Sequence, residues 1–210
     1  MTTVSILGSG NMARGIATRA LAGGNSVQIL AREPEQSATL AAELGGSASS
    51  GAIGDSLTGD VVVLAVPYPA AAPLVEQYGD QLAGKVVVDI TNPINVETFD
   101  GLVTPADSSA AQEIANAAPG GARVVKAFNT TFAGTLVEGQ VKDLPLDVFI
   151  AGDDADAKNA VAGIVEAGGL RPIDVGPLAN AHYLEGLGFL HIALQLSRDT
   201  GFSTAVKLID

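Results

Sequence analysis

Thr3-Val4-Ser5-Ile6-Leu7-Gly8-Ser9-Gly10-Asn11-Met12-Ala13 decides the fold when it is read with Ser26-Val27-Gln28-Ile29-Leu30-Ala31-Arg32 downstream. An apolar strand runs into Gly8-x-Gly10-x-x-Ala13, and Ile16, Ala17, Ala20 and Leu21 follow at helical spacing on one face. A dinucleotide fold needs its parts in this order. Gly8 permits the tight turn, Gly10 lets the backbone approach a pyrophosphate, and Ala13 is small enough for helix to lie against strand. The first-turn N–H groups and the positive end of the helix dipole then face the phosphates. In a chain with 25 glycines the motif alone carries little. Strand, turn, helix and second strand in register carry the assignment, with Gly8, Ser9, Gly10, Asn11, Met12 and Ala13 as cofactor-binding candidates.

The second strand ends where an adenosine ribose would lie. NAD sites place an Asp or Glu about 20 residues past the glycines to hold the 2′-hydroxyl; here Ala31 and Arg32 stand instead. A guanidinium pairs with a 2′-phosphate through charge-assisted bonds that a carboxylate would oppose. The reading is therefore NADP(H), with Arg32 on the phosphate and the Ser9 hydroxyl as a second donor. Adjacent Glu33 partly offsets the charge.

Composition narrows the remaining classes. The chain has 210 residues, no cysteine, 4% aromatic residues and a formal net charge of −12. Thiolate metal sites and disulfides are excluded, and the acidic balance argues against nucleic acid or an anionic membrane surface. No apolar run is long enough to span a bilayer, and the sequence enters a strand at once, which leads to the expectation of a cytoplasmic protein without a signal peptide.

Further strands are read at Asp60–Val66, Lys85–Ile90, Arg123–Phe128 and Leu146–Gly152, the first two as continuous apolar runs of a parallel sheet buried on both faces. Leu170–Asp174 reads as an edge strand because Pro172 cannot donate to a central ladder, and Val206–Ile209 as a short closing strand. Helices are expected over 34–44, 70–78, 108–118, 154–167 and 179–196, with residues 96–106 irregular. The expected architecture is α/β: a Rossmann-type, doubly wound, mostly parallel sheet over 1–178, with a short C-terminal helical extension, 179–210, packed on the same domain.

The crevice at the strand C-termini would be walled by Val66, Pro67 and Tyr68, by Thr91, Asn92 and Pro93, and by Asn129 and Thr130. Asn92 and Asn129 are candidates to hydrogen-bond a carboxamide or a ring carbonyl; as strand-ending asparagines they equally fit a turn-forming role. Asn92, Asn129 and Thr130 are positioning candidates, and no catalytic acid or base is assigned. His182 and His191 lie nine apart, not at the spacing that pairs ligands on one helix face, so no metal site is expected. Lys126 either reaches the crevice or is solvated at the strand end. Gly152-Asp153-Asp154 is expected to cap the helix that follows.

Beyond the opening motif, an ordered set of segments stands out: Ala65-Val66-Pro67, Asp89-Ile90-Thr91-Asn92-Pro93, Lys126-Ala127-Phe128-Asn129-Thr130, Gly152-Asp153-Asp154 and Gly169-Leu170-Arg171-Pro172-Ile173-Asp174. With these the chain resembles the NADPH-dependent F-420 reductases and the soluble domain of the six-transmembrane metalloreductases. The resemblance implies hydride exchange between NADPH and a second redox ring, F-420 in one branch and FMN or FAD in the other. The deazaflavin reductases carry a His where this chain has Asn129, and the metalloreductase branch looks more like Lys-Ala-Phe-Asn-Thr.

Two alternatives stay open. Gly-Asn-Met-Ala also occurs in pyrroline-carboxylate reductases, but imine and hydroxyacid enzymes of that kind use a substantial helical domain, and only residues 178–210 follow Pro177 here. A non-catalytic NADP(H) sensor or accessory subunit is the other. Leu184, Leu187, Phe189, Leu190 and Leu194 form an apolar set on the last helix that would close the pocket or pair two subunits as a homodimer.

Overall fold

The computed structural model describes residues 2–209. β1 (Thr3–Leu7), α1 (Asn11–Ala22), β2 (Ser26–Ala31), α2 (Pro34–Leu44) and β3 (Ala48–Ala52) form the first winding. β4 (Val61–Leu64), α3 (Tyr68–Tyr78), β5 (Val86–Asp89), α4 (Ala110–Ala117) and β6 (Arg123–Lys126) form the second. Next come α5 (Ala133–Glu138), the small hairpin β7 (Gln140–Val141) and β8 (Leu144–Pro145), then β9 (Asp147–Gly152), α6 (Ala155–Ala167), β10 (Arg171–Asp174) and α7 (Ala181–Arg198).

Eight strands make one sheet in the order β10-β9-β6-β5-β4-β1-β2-β3. All neighbours run parallel except β6 and β9, which pair antiparallel through Val125–Gly152 and Lys126–Ala151. The chain reverses its winding between β1 and β4, where an open α/β sheet leaves a crevice at its C-terminal edge. Successive residues of one strand feed opposite cores. Val61 and Val63 pack with α1 and α6 on one face, while Val62 and Leu64 pack with α3 and α4 on the other. This is the doubly wound arrangement expected from the sequence.

Besides the β7–β8 hairpin, three features escaped the sequence. β3 (Ala-Ser-Ser-Gly-Ala) lacks β-branched residues and is largely solvent-facing, so it forms only because β2 offers it a ladder. α5 has six residues and no side-chain cap, too short for a periodicity signal; its stability comes from packing on α1. The β6 strand stops at Lys126 rather than Phe128, because Phe128 takes a left-handed conformation (φ 61°) that ends the ladder.

The short closing strand expected at Val206–Ile209 is absent, since this tail joins no ladder. It is tethered through a buried carboxylate instead. Asp147 accepts from Arg171 Nε (2.8 Å) and Nη2 (2.7 Å), from Lys207 Nζ (2.7 Å) and from the Leu208 N–H (2.8 Å). Burial alone would raise this carboxyl, but the bonds from Arg171, Lys207 and Leu208 outweigh it and hold the pKa near 2. A depressed folded-state pKa contributes stability that is complete above the unfolded value of about 4 and is lost as pH falls through about 2. Asp147→Asn should therefore lower Tm at neutral pH and flatten its decline between about pH 4 and 2. An unchanged slope in acid unfolding curves would refute this role.

Candidate active site

At the C-termini of β1, β2 and β4 lies a groove of about 490 Å³, lined at its base by Gly8, Ser9 and Gly10, at one end by Arg32 and Gln36, and at the other by Val66 and Pro67. Its floor follows from hydrogen bonding. The Gly8 N–H donates to the Leu30 carbonyl (2.7 Å) and the Ala65 N–H to the Leu7 carbonyl (2.8 Å), drawing three strand ends together. Gly8 sits at φ 125°, and a Cβ there would stand 2.1 Å from the Ala65 oxygen. No other residue fits.

Gly10 is the N-cap of α1 and differs in kind. Its backbone is extended, and a Cβ there would meet nothing of the protein within 4 Å. The helix start has no side-chain cap and no acidic residue in its first turn. The N–H groups of Asn11, Met12 and Ala13 are thus left without an intrahelical acceptor, which suits a phosphate. These three residues serve through backbone: Asn11 is exposed, Met12 half-buried and Ala13 buried against the sheet.

Arg32 is exposed at the end of β2 beside Glu33, and no ion pair engages it among the described residues. The other nearby arginine, Arg14, is paired with Glu43. Ser9 Oγ donates to Gln36 Oε1 at 3.2 Å, so its hydroxyl would have to turn to donate to a phosphate. Gln36 went unremarked in the sequence because a glutamine on a helix's first turn carries no motif. A bare helix start, a space a Cβ would fill and a free guanidinium at the ribose end fit a dinucleotide with a 2′-phosphate.

Beyond the groove the sheet edge changes character. Tyr68 does not line it; its hydroxyl donates to Glu113 Oε2 (2.5 Å), and burial followed by that bond pushes its pKa up to about 12. On the β5 and β6 loops, Asn92 Nδ2 donates to the Asn129 carbonyl (2.8 Å), and Asn129 Nδ2 donates to Asn92 Oδ1 (2.9 Å) and to the Leu184 carbonyl (2.8 Å). Backbone carbonyls only accept, so both amide orientations are fixed. Asn129 has spent both its N–H groups inside the protein. Asn92, half-buried, keeps one N–H and one lone pair. Pro93 is buried, and Thr130 is buried with its carbonyl accepting from His191 Nδ1 (3.1 Å).

That bond puts the His191 hydrogen on Nδ1 and leaves Nε2 to accept from Thr204 Oγ1 (2.8 Å). Burial lowers the imidazole pKa against the pull of the Thr130 carbonyl, and the ring packs 4.3 Å from that of Phe132. His182 meets the Ser108 carbonyl through Nδ1 (2.9 Å). Among the described residues no group of His, Asp or Glu is arranged to hold a metal.

Lys126 is not solvated. Its side chain is 0% exposed, and its ammonium donates to Asp89 Oδ2 (2.7 Å), Glu185 Oε1 (2.8 Å) and the Thr91 carbonyl (2.5 Å). All three hydrogens are used within the protein. Glu185 escaped the sequence reading, although a lone carboxylate in Leu184-Glu185-Gly186-Leu187-Gly188-Phe189 was the available signal. Burial raises its pKa, opposed by Lys126.

The family model for coenzyme F420-dependent NADP oxidoreductases matches residues 3–93. The F420-dependent NADP reductase of Methanothermobacter thermautotrophicus is 31% identical over 209 residues, covering 93% of this chain and 90% of that protein. Rat metalloreductase STEAP3 is 35% identical over 185 residues, 88% of this chain, which spans only 36% of that relative's length. A crystal structure from Arthrobacter sp. FB24, assigned to the F420-dependent NADP-reductases, superimposes with a TM-score of 0.88 at 26% identity and full coverage of both chains. The chain belongs to the F420-dependent NADP reductase family.

Since Gly10 has open space and unstrained backbone, Gly10→Val should leave Tm within a few degrees while weakening NADPH binding by at least about tenfold. Equal NADPH affinity in the two proteins, measured by fluorescence titration, would show that nothing approaches this turn.

Proposed function

We propose that the protein exchanges a hydride between NADP(H) and a second planar redox ring, either the deazaflavin F-420 or a flavin such as FMN or FAD. The observation that carries this is the groove of Gly8–Gly10, open at the bare start of α1 and ending at Arg32, in a chain of this family. Bound NADPH would supply the hydride. The chain's own part is positional, because direct transfer between two rings needs near-attack geometry more than acid–base help. The N–H groups of Asn11–Ala13 hold the pyrophosphate, Arg32 and Ser9 the 2′-phosphate, and Val66 and Pro67 form an apolar wall that keeps water from the nicotinamide. Asn92 offers its spare N–H to a carbonyl of the acceptor ring, while Pro93, Asn129 and Thr130 shape the far wall and Tyr68 braces the near one.

The choice between acceptors rests on Asn129. Both its N–H groups are engaged and its Oδ1 alone is unpartnered, and the Lys126-Ala127-Phe128-Asn129-Thr130 segment is like that of the metalloreductase branch, which favours the flavin arm. The dimer reading rests on α7, where Leu190 and Leu194 of the expected apolar set stand 59% and 51% exposed on one face with Tyr183 (72%), while Leu184 is buried within the domain. We take a homodimer through this stripe as the assembled form, with residues 179–210 packed on the domain of 1–178.

Two measurements follow. Arg32→Ala removes a charge-assisted pair worth about 2 kcal/mol, so NADPH should bind roughly 30-fold more weakly while NADH affinity stays nearly constant; equal losses for both would remove the arginine from the 2′-phosphate. Stopped-flow mixing of NADPH-loaded protein with FMN, and separately with F-420, should show NADPH oxidation with at least one ring. Tight NADPH binding without turnover on either would favour a sensor.

A further inference from the structure

Asp89, Lys126 and Glu185 are fully buried at the end of the sheet beyond the nucleotide groove. A buried ion cluster is weak support for stability, since its desolvation consumes much of the attraction, so its placement calls for another explanation. Asp89 Oδ1 accepts the Thr91 N–H (2.8 Å) and Lys126 Nζ donates to the Thr91 carbonyl, so the cluster grips both sides of the residue that starts the Thr91–Pro93 turn. Glu185 also accepts the Ala110 N–H on Oε2 (3.0 Å) and the Ala111 N–H on Oε1 (3.3 Å), at the start of α4. One carboxylate on α7 therefore holds both ends of the excursion 94–109, directly at its exit and through Lys126 at its entry.

A second contact from the same helix, independent of charge, converges on this turn. Gly188, one turn beyond Leu184, lies so close to the β5 loop that a Cβ would stand 2.4 Å from Asn92 Oδ1. The excursion itself leaves Val96, Phe99 and Val103 exposed, an apolar rim on the segment that leaves Asn92, whose amide keeps an N–H to spare. The nucleotide groove draws on β1, β2 and β4 and shares none of these groups.

We propose that Glu185 is a positioning residue for the acceptor half of the site. By clamping the base of the 94–109 excursion, it fixes Asn92 and the apolar rim against which the second ring is presented, with Gly188 setting the depth at which Asn92 seats. The proposal rests on the ring-acceptor reading above, yet its mechanical part is separable from it.

Hydrogen exchange and kinetics on Glu185→Gln test both parts. Glutamine keeps an acceptor for Ala110 but removes the charge that draws Lys126. Exchange at Thr91, Ala110 and Ala111 should quicken by about tenfold or more while β1 and α1 stay protected. NADPH affinity should remain within about twofold, and kcat/KM for FMN should fall by about tenfold or more. Should Glu185→Gln fail to fold, Gly188→Ala decides, because it displaces Asn92 without touching a charge and should give the same kinetic split. Wild-type kinetics in the variant, exchange that rises evenly through the sheet, or NADPH affinity falling in step with FMN turnover would overturn the proposal. If the wild-type protein reduces neither FMN nor F-420, the acceptor reading fails, while the exchange pattern still decides whether the clamp exists.

Discussion

Everything in this structure is arranged around a contact with no room in it. At Gly8 the chain turns out of β1 with φ 125°, so close to β4 that a methyl group would overlap the Ala65 carbonyl. The turn is held from both sides, by Leu30 on β2 and, through Leu7, by Ala65 on β4. Only this approach lets α1 begin directly over the sheet edge with its first N–H groups pointing outward. A side chain at Gly8 would separate β1 from β4 and close the crevice that the reversal of winding leaves open. Fold and site are therefore one constraint seen at two scales.

The two halves of the crevice are built by different physics. The nucleotide half is mostly backbone: a glycine turn, a bare helix start and one arginine in a chain that is otherwise strongly acidic. Backbone donors cost no side-chain entropy to hold in place, and an exposed guanidinium without an ion pair at the ribose end marks where a phosphate is welcome. The far half is mostly side chain, with two amides bonded to each other and an ammonium bonded to two carboxylates. Such a network has few alternative arrangements, which suits a surface that must hold a ring at a set distance.

The backbone signals of the first half could be read from the sequence, whereas of the second only the strand-end candidates Asn92, Asn129 and Thr130 could, for the same reason. Gly8, Gly10 and Ala13 signal backbone geometry through their size, and Arg32 declares itself by standing where a carboxylate is usual, so spacing along the chain suffices. Strands such as Val61–Leu64 were equally plain, because burial on both faces leaves an uninterrupted apolar run. Lys126 and Glu185 lie 59 residues apart and mean nothing until the sheet and α7 bring them within 2.8 Å. For Lys126 the sequence offered only the crevice or solvent, because a charged residue at a strand end is rarely buried. β3 and α5 stayed hidden because their neighbours supply the stability that their own composition lacks. The tail at Val206–Ile209 shows the converse: a mostly apolar stretch is held by Asp147, Arg171 and the Pro145 carbonyl, and needs no ladder.

The claim at the centre is that a phosphorylated dinucleotide lies across Gly8–Gly10 with its nicotinamide carried past Pro67. A crystal structure of the protein grown with NADPH tests it most directly. The account predicts pyrophosphate oxygens on the N–H groups of Asn11–Ala13, a 2′-phosphate within reach of Arg32, and the nicotinamide between the β4 and β5 loops. Nucleotide bound outside this groove, or a 2′-phosphate turned away from Arg32 into solvent, would contradict it.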